Sequence, residues 1–254
     1  MSYADVTGNI YLVSDEPLIA ISKRGAPSNP WRGPGRPTTS LKGLPAARIA
    51  RALVDFIPPY SVPGLAELAG SSIGATYRLV DYLEDEALLE REKRGPIYVV
   101  KWPELLRKWA EDSSLFEESI AHSYLEPRGV SSLVQRLTEE VSPGSYAATG
   151  SIAAQLYAPY AQSRLAMIYS ENPKALASDL GLTPTDGPTN VVMVAPKSDV
   201  VFERTNSWEG LTVVAPSQAV ADLLNGPGRN PAEGERLLQW MEENPDEWRR
   251  KSNR

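Results

Sequence analysis

The chain has 254 residues, of which 42% are hydrophobic, a formal net charge of −6, no cysteine and one histidine. Disulfides, thiolate metal sites and cysteine nucleophiles are therefore excluded, and the single His122 cannot supply a histidine-rich metal site. No apolar run approaches the roughly 18 residues of a membrane span, and the N-terminus lacks a secretion-signal pattern. We expect a cytoplasmic protein of two domains, with no membrane contact, cofactor, metal or catalytic residue and with a structural His122.

Positive charge is concentrated in one segment of the chain. Positions 23–51 contain seven basic residues and no acidic one, which leaves 19 basic against 32 acidic residues for the rest. The local field, rather than the net charge, decides whether a segment attracts nucleic acid. This segment is therefore a candidate contact with DNA phosphates. Its basic residues are Lys23, Arg24, Arg32, Arg36, Lys42, Arg48 and Arg51.

The first 42 residues are predicted to form a hairpin followed by a linker. The hairpin is indicated by the β-rich runs of "GNIYLVSDEPLIAIS", and the linker by the prolines and glycines of "RGAPSNPWRGPGRPTTSLKG". The linker's "GPGRP" is similar to the centre of AT-hooks, whose arginines enter an A/T-rich minor groove. The alternative is a linker with incidental charge. On the first interpretation, Arg32, Arg36 and Lys42 are steering or groove contacts.

Residues 43–102 are predicted to begin with two helices. "LPAARIARALVDFI" places its apolar residues largely on one helical face, with Arg48 and Arg51 pointing elsewhere. "SVPGLAELAG" is predicted to form a shorter helix, in which Ser61 is the N-cap and Gly70 ends the helix. A tight turn then leads to a third helix, which is the geometry of a helix-turn-helix.

The third helix and the hairpin after it are the candidate DNA-reading elements. "SSIGATYRLVDYLEDEALL" is predicted to bury Ile73, Val80, Leu83 and either Tyr77 or Leu79, and to expose its N-terminal end. "ALLEREKRGPIYVV" is a strand, a turn and a return strand, which would form the wing of a winged helix and touch the DNA backbone. The predicted base or phosphate contacts are Ser71, Ser72, Ala75, Thr76 and Arg78 on the helix, and Lys93 and Arg94 in the wing.

Acidic residues in the same helix favour a different function. Asp81, Glu84, Asp85 and Glu86 make its later part negative, so they would avoid DNA only if the helix docks by its N-terminal end. Winged helices also serve as protein-interaction modules. A protein-interaction adaptor without specific DNA binding is therefore the alternative to a DNA-binding protein.

The rest of the chain is predicted to be a helical connector and an α/β domain. The connector, residues 103–141, contains the helices "PELLRKWAEDSSLFEESIAHSYL" and "VSSLVQRLTEEV". In residues 142–245, the stretch from Tyr146 to Leu182 predicts helix, strand and helix. Strands follow at "TNVVMVAP", "DVVFERT" and "LTVVAP", and helices at "SQAVADLL" and "NPAEGERLLQWMEEN". Residues 246–254 are a basic tail. The predicted fold class is α+β.

A short motif raises the question of nucleotidyl transfer. Thr149–Ser151, "TGS", is similar to the glycine-serine signature of polymerase-β-like nucleotidyltransferases, which need an acid-x-acid pair on the next strand for two metal ions. The next strand here, "SRLAMIYSE", offers only Glu171. The motif is therefore either part of a degenerate nucleotidyltransferase-like fold or an ordinary helix start. On both interpretations we predict no nucleotidyl transfer. An enzyme with relocated carboxylates at Asp179, Asp186 or Asp199 is a third reading.

Several segments together resemble a known family. They are "SLKGLPAARIARALVDFIPPYSVPGLAELAGSSIGATYRLVDYLEDEALL", "EPRGVSSLVQRL", "YAATGSIAAQLYAP", "GLTPTDGPTNVVMVAP", "VVFERT" and "APSQAVADLLNGPGRNPAEGERLLQWM". They are similar to actinobacterial helix-turn-helix proteins related to the AbiEi antitoxins of type IV toxin-antitoxin systems. The resemblance covers roughly residues 38–244 and does not include the first 37 residues.

The resemblance implies a DNA-binding, antitoxin-like transcriptional regulator. The family has an N-terminal winged helix that binds inverted repeats in its own promoter and a C-terminal domain needed for antitoxicity. Its reading helix corresponds to residues 71–83 here and its wing to residues 90–99. The implied partners are double-stranded DNA and a nucleotidyltransferase-like toxin that is countered without a stable complex. An inverted repeat would also require a two-fold homodimer, with half-sites roughly 34 to 36 Å or a multiple apart.

Overall fold

The structure is a computed structural model that describes residues 2–4, 9–15, 18–25, 40–92, 95–112, 119–159 and 162–251. Contacts divide the chain into two compact units, residues 1–37 and residues 38–254. Within the described ranges, no helix is both long enough and apolar enough to cross a lipid bilayer. The predicted DNA contacts Arg32, Arg36, Lys93 and Arg94 lie outside the described residues.

The first unit contains a small antiparallel sheet. Its strands are β1 (Tyr3–Ala4), β2 (Ile10–Asp15) and β3 (Leu18–Lys23), in the order β1-β2-β3. The pairing of β2 with β3 confirms the hairpin predicted from the sequence. Leu12 and Ile21 face each other across this pair, and both side chains are exposed.

The second unit begins with three helices and a hairpin. The helices bury apolar stripes against one another, because α1 packs on both α2 and α3. The segment before α2 is tied to the hairpin through Tyr60 and Ile97, whose backbones exchange hydrogen bonds of 3.2 and 2.9 Å. These elements are α1 (Leu44–Asp55), β4 (Phe56–Ile57), α2 (Val62–Leu68), α3 (Ile73–Asp85), β5 (Leu89–Arg91) and β6 (Ile97–Val100).

A mixed seven-stranded sheet forms the rest of the second unit. Its strand order is β10-β7-β11-β9-β8-β13-β12, in which the β11/β9 and β8/β13 pairs are parallel and the other pairs antiparallel. The strands are β7 (Ile120–Leu125), β8 (Tyr146–Thr149), β9 (Ala166–Ser170), β10 (Thr183–Pro184), β11 (Val191–Ala195), β12 (Asn206–Trp208) and β13 (Leu211–Val213). The helices are α4 (Trp102–Asp112), α5 (Val130–Glu140), α6 (Gly150–Gln155), α7 (Pro173–Asp179), α8 (Pro216–Leu224), α9 (Asn230–Glu243) and α10 (Pro245–Trp248).

The three-helix part and the sheet share one hydrophobic core. Helix α4 packs against α1 on one side and α8 on the other, and buried residues form one cluster from Leu41 to Met241. The sequence instead predicted separate domains at residues 43–102 and 142–245, joined by a connector at residues 103–141. That connector is part of both, since α4 fills the junction and β7 is a strand of the sheet.

Three predicted elements have a different conformation. Residues 120–125 were predicted as the end of a helix but form β7, and residues 146–149 were also predicted helical but form β8. Residues 199–202, within a predicted strand, form a 3-10 helix. In each case the residues pack against the sheet or α1, and this tertiary contact outweighs the local pattern.

The described part of the predicted basic tail, residues 246–251, contains a helix end and a short strand. Helix α10 ends at Trp248, and β14 (Arg250–Lys251) then pairs with β4 in a parallel arrangement. Arg249 lies between α10 and β14, and its guanidinium donates to the carbonyls of Val54 (3.0 Å) and Phe56 (2.6 Å). Arg249 therefore satisfies carbonyls at the C-terminal end of α1.

Candidate nucleic-acid interface

The start of α3 is fixed by caps on both sides of a tight turn. Ser61 caps α2 by accepting from the Gly64 N–H (3.1 Å), and Gly70 ends α2 at a φ of 55°, which favours glycine. The Ser72 hydroxyl then accepts from the Ala75 N–H (3.2 Å) and caps α3. The caps predicted at Ser61 and Gly70 are confirmed, and the turn holds the N-terminal end of α3 at the surface.

The exposed face at this end of α3 combines apolar and basic side chains. Ile73 is 54% exposed and Tyr77 is 43% exposed, and Arg78 is exposed one position further on. A Cβ at Gly74 would lie 3.7 Å from Arg78 Nη1, so the guanidinium extends along the first turn of the helix. Ile73 was predicted to be buried, and that prediction is wrong. We call Ile73, Gly74, Tyr77 and Arg78 the α3 face.

The other predicted helix contacts have different environments. Thr76 has no exposed surface, and its hydroxyl donates to the Ser72 carbonyl over 3.0 Å, so the assignment of Thr76 as a DNA contact is corrected. Ser71 and Ala75 are half-buried, whereas Ser72 is exposed while serving as the cap. Of the five predicted helix contacts, Ser72 and Arg78 are exposed.

The acidic side chains of α3 are partly neutralised by the hairpin. Arg91 of β5 forms ion pairs with Asp81 and with Glu84, the second at 2.8 Å. Lys108 of α4 lies 3.3 Å from Glu86. Sequence reasoning missed Arg91, although Asp81 and Glu84 lie three positions apart on the helix and Arg91 follows closely. These ion pairs reduce the negative potential beside the α3 face.

The hairpin presents a further exposed surface. Its turn is closed by the Gly95 N–H, which donates to the Glu92 carbonyl over 2.7 Å, and the side chains of Leu89 and Ile97 are buried. Tyr98 on the return strand is 48% exposed. Lys42, the remaining predicted contact in the described residues, is exposed just before α1.

Two arginines of the basic segment form ion pairs or hydrogen bonds with other parts of the chain. Arg48 Nη2 lies 2.7 Å from Asp199, and its Nε lies 3.2 Å from Glu203. Arg51, predicted to point away from the buried face of α1, has no exposed surface and donates to the Val200 carbonyl (3.3 Å). These two residues do not contribute free positive charge at the surface.

A buried polar network joins α1 to the sheet and to α8. Arg51 donates to Gln218 Oε1 (2.6 Å), and Gln218 Nε2 donates to Asp222 (2.9 Å). Asp222 also accepts from the hydroxyls of Thr149 (2.6 Å) and Tyr169 (3.0 Å). Burial raises the pKa of Asp222 to about 6, against the hydrogen bonds that lower it. Burial lowers the pKa of Arg51, because it disfavours the charged form of the guanidinium. The network is closed to solvent and fixes α1 against α8.

The Gly150–Ser151 turn is filled by the protein's own side chains. Gly150 has a φ of 60°, and the Ser151 hydroxyl donates to the buried carboxylate of Glu233, which pairs with Arg229 at 2.7 Å. A nucleotide phosphate at Ser151 would have to displace this carboxylate. No residue of the neighbouring strand β9 is acidic. In the described part of the chain, no group of three or more His, Cys, Asp or Glu side chains is placed to hold a metal ion.

Comparison with known proteins does not identify a relative. No protein-family model matches the chain, and neither a curated protein nor a solved structure matches it at a significant level. The comparisons therefore assign no function to the α3 face or the hairpin.

Proposed function

We propose that the protein is a DNA-binding regulator in which residues 44–100 act as a winged helix-turn-helix. The observation that carries this proposal is the order and pairing of the elements. Helices α1, α2 and α3 are followed by the hairpin β5–β6, and the return strand is bridged to Tyr60 ahead of α2. In winged helices with this order, the third helix enters the major groove and the hairpin touches the backbone.

The α3 face provides groups that suit this role. Arg78 can donate two hydrogen bonds to a guanine edge or pair with a phosphate. The first N–H groups of a helix have no intrahelical acceptor and favour anions. The Ser72 hydroxyl already accepts a hydrogen bond from the Ala75 N–H. The backbone N–H groups of Ile73 and Gly74 are therefore the donors available to an anion. With Arg91 neutralising Asp81 and Glu84, the helix can approach DNA by its N-terminal end.

Within this class, the specific proposal is a cytoplasmic, antitoxin-like transcriptional regulator that represses its own promoter. This part rests on the sequence resemblance to the AbiEi-related proteins. It includes a functional pairing with a nucleotidyltransferase-like toxin without a stable complex, and a homodimer on an inverted repeat. The order β8, Gly150–Ser151, α6 and β9 supports a degenerate nucleotidyltransferase-like fold for the sheet, without enzymatic activity.

Selection of preferred duplexes from a random DNA library tests the function. The proposal predicts that wild-type protein and Arg236→Ala, which removes a charge from the exposed face of α9, enrich the same motif. Arg78→Ala should enrich a degenerate motif or none. Recovery of no motif by wild-type protein would contradict sequence-specific binding. A promoter-reporter assay with the same three proteins then tests autoregulation.

A protein-interaction adaptor is the second candidate, and the exposure of Ile73 and Tyr77 favours it. Apolar side chains of this size are common at protein interfaces. Ile73→Lys separates the two functions, because it adds positive charge beside DNA but places a charge in an apolar protein interface. Tighter binding to random duplex DNA supports the DNA-binding function. Unchanged DNA binding, together with loss of a partner protein, supports the adaptor.

A further inference from the structure

One edge of the seven-stranded sheet is only partly covered. Strand β7 pairs along its length with β11, but on its other side β10 covers only Tyr124 and Leu125. The Thr185 N–H then donates to the Ser123 carbonyl over 3.1 Å, after which the chain turns away at Asp186. Thr185 is therefore the last described residue beside this edge, and within the described residues no strand lies beside the outer side of residues 120–122.

Backbone hydrogen-bonding groups point outward along this edge. The Ser123 carbonyl faces the β10 side, and directions alternate along an antiparallel strand, so the N–H and C=O of Ala121 face the same side. No described residue bonds to the Ser123 N–H or to Ala121 from that side. Ile120 is 66% exposed. Protein edges are usually protected by charge, proline or a bulge, and residues 120–123 contain neither a charged residue nor a proline.

A groove of about 780 Å³ lies against the same edge. One side is formed by residues 121–124, and the other by α7 and by residues 182–187. Its volume is in the range of sites that bury a ligand. Lys174 and Asp186 both line the groove, and neither has an ion-pair partner in the described part of the chain. The groove therefore offers backbone groups in strand geometry and two unpaired charges of opposite sign.

We propose that this groove binds an extended peptide segment of a partner protein, which adds as a strand beside residues 120–122. Backbone hydrogen bonds to the N–H and C=O of Ala121 supply affinity, and the two charges supply selectivity. The peptide carries an acidic side chain at Lys174 and a basic one at Asp186. A second copy fits less well, because so short an edge cannot bury the roughly 1,200 Å² of a stable dimer. The site is separate from the α3 face and does not depend on DNA binding.

A displayed random-peptide library, panned on the full-length protein, tests the proposal. Ala121→Pro removes the outward N–H without removing a donor to β11, since edge strands tolerate proline there. Ala121→Thr is the matched control that keeps this donor. We expect enriched peptides with acidic and basic residues that bind wild-type and Ala121→Thr proteins equally and Ala121→Pro about tenfold more weakly. Lys174→Glu should weaken the same peptides. Failure to enrich any peptide that separates wild type from these variants overturns the proposal.

Two further measurements make the result independent of the folding of Ala121→Pro. N-methylation of an enriched peptide should abolish binding at alternate positions only, because alternate N–H groups face β7. Equal tolerance at every position would contradict strand addition. Sedimentation of the free protein over a concentration series tests the second copy. Dimerisation that Ala121→Pro and Ile120→Lys abolish would assign the edge to self-pairing and overturn the peptide proposal.

Discussion

Arg51 of α1 and Gln218 of α8 are joined by a 2.6 Å hydrogen bond, although 167 positions separate them in the chain. Both side chains have no exposed surface. The bond connects the helix that supports α3 to the helix that holds Asp222. The proposed DNA-reading part and the sheet are therefore one structural unit, whose stability depends on buried polar groups.

Loss of Arg51 should destabilise the whole second unit. Arg51→Ala leaves the buried carboxylate of Asp55 with less compensating charge and leaves Gln218 without its donor. Removing one partner of a buried ion pair costs about 3 to 5 kcal/mol. Urea unfolding measures this loss. Arg48→Ala is the matched control, because Arg48 and its partners Asp199 and Glu203 are all partly exposed, and a solvent-exposed pair contributes less than about 1 kcal/mol. Equal effects of the two substitutions would contradict the importance of the buried network.

The buried carboxyl of Asp222 should make stability depend on pH. Its pKa is raised from the ordinary 3.8 to about 6 in the folded protein, mainly by burial. The folded state therefore binds the proton more tightly than the unfolded state between these values. The resulting stabilisation is fully present below the unfolded pKa and is lost as pH rises through the folded pKa. The free energy of unfolding should therefore differ by on the order of 3 kcal/mol between pH values below the unfolded pKa and above the folded pKa.

Paired unfolding curves of wild type and Asp222→Asn check this effect. Asparagine cannot ionise, so subtraction removes the contributions of all other titrating groups. We expect wild-type stability to fall relative to the variant between about pH 4 and pH 7. A constant difference across this range would show that Asp222 has the same pKa in the folded and unfolded states.

Arg78 should contribute to specific DNA binding. If it donates to a base, Arg78→Ala should weaken binding to the preferred duplex by about 1 to 3 kcal/mol and relax specificity at one position. Fluorescence anisotropy with labelled duplexes measures this change. Thr76→Val should leave affinity unchanged, because Thr76 is buried beneath the α3 face. Unaltered affinity of Arg78→Ala would remove Arg78 from the interface.

Arg91 should affect DNA binding without touching a base. Arg91→Ala releases the negative charges of Asp81 and Glu84 beside the α3 face, so all duplexes should bind more weakly, most strongly at low salt. The same anisotropy assay at several salt concentrations measures the loss. A triple variant that adds Asp81→Asn and Glu84→Gln should recover most of the affinity. Absence of recovery would indicate that Arg91 acts through the hairpin structure instead.

The sequence predicted the helices around α3 because their signals are local. Ser61 and Gly70 mark the ends of α2 by their side-chain and backbone chemistry, and both act as expected. Periodicity alone could not predict that Thr76 lies beneath the exposed face. Nor could it predict that Arg51 is buried, because the covering helix α8 lies far along the chain.

The sheet was predicted less accurately for a related reason. Residues 120–125, "IAHSYL", lack the strict alternation of a half-buried strand, and only pairing with β11 makes them a strand. Strand identity at such positions is decided by neighbours distant in sequence. The proposed peptide groove, which lies on this strand, could therefore not be predicted from the sequence.

A competition gel shift of the full-length protein on its own upstream DNA tests the central claim most directly. It should be run at about 50 mM and about 200 mM salt with excess random duplex as competitor. DNA binding through several phosphates predicts a shifted band that survives the competitor and weakens steeply with salt. Absence of a shift, or a shift that the competitor abolishes at both salt concentrations, would contradict a sequence-specific regulator.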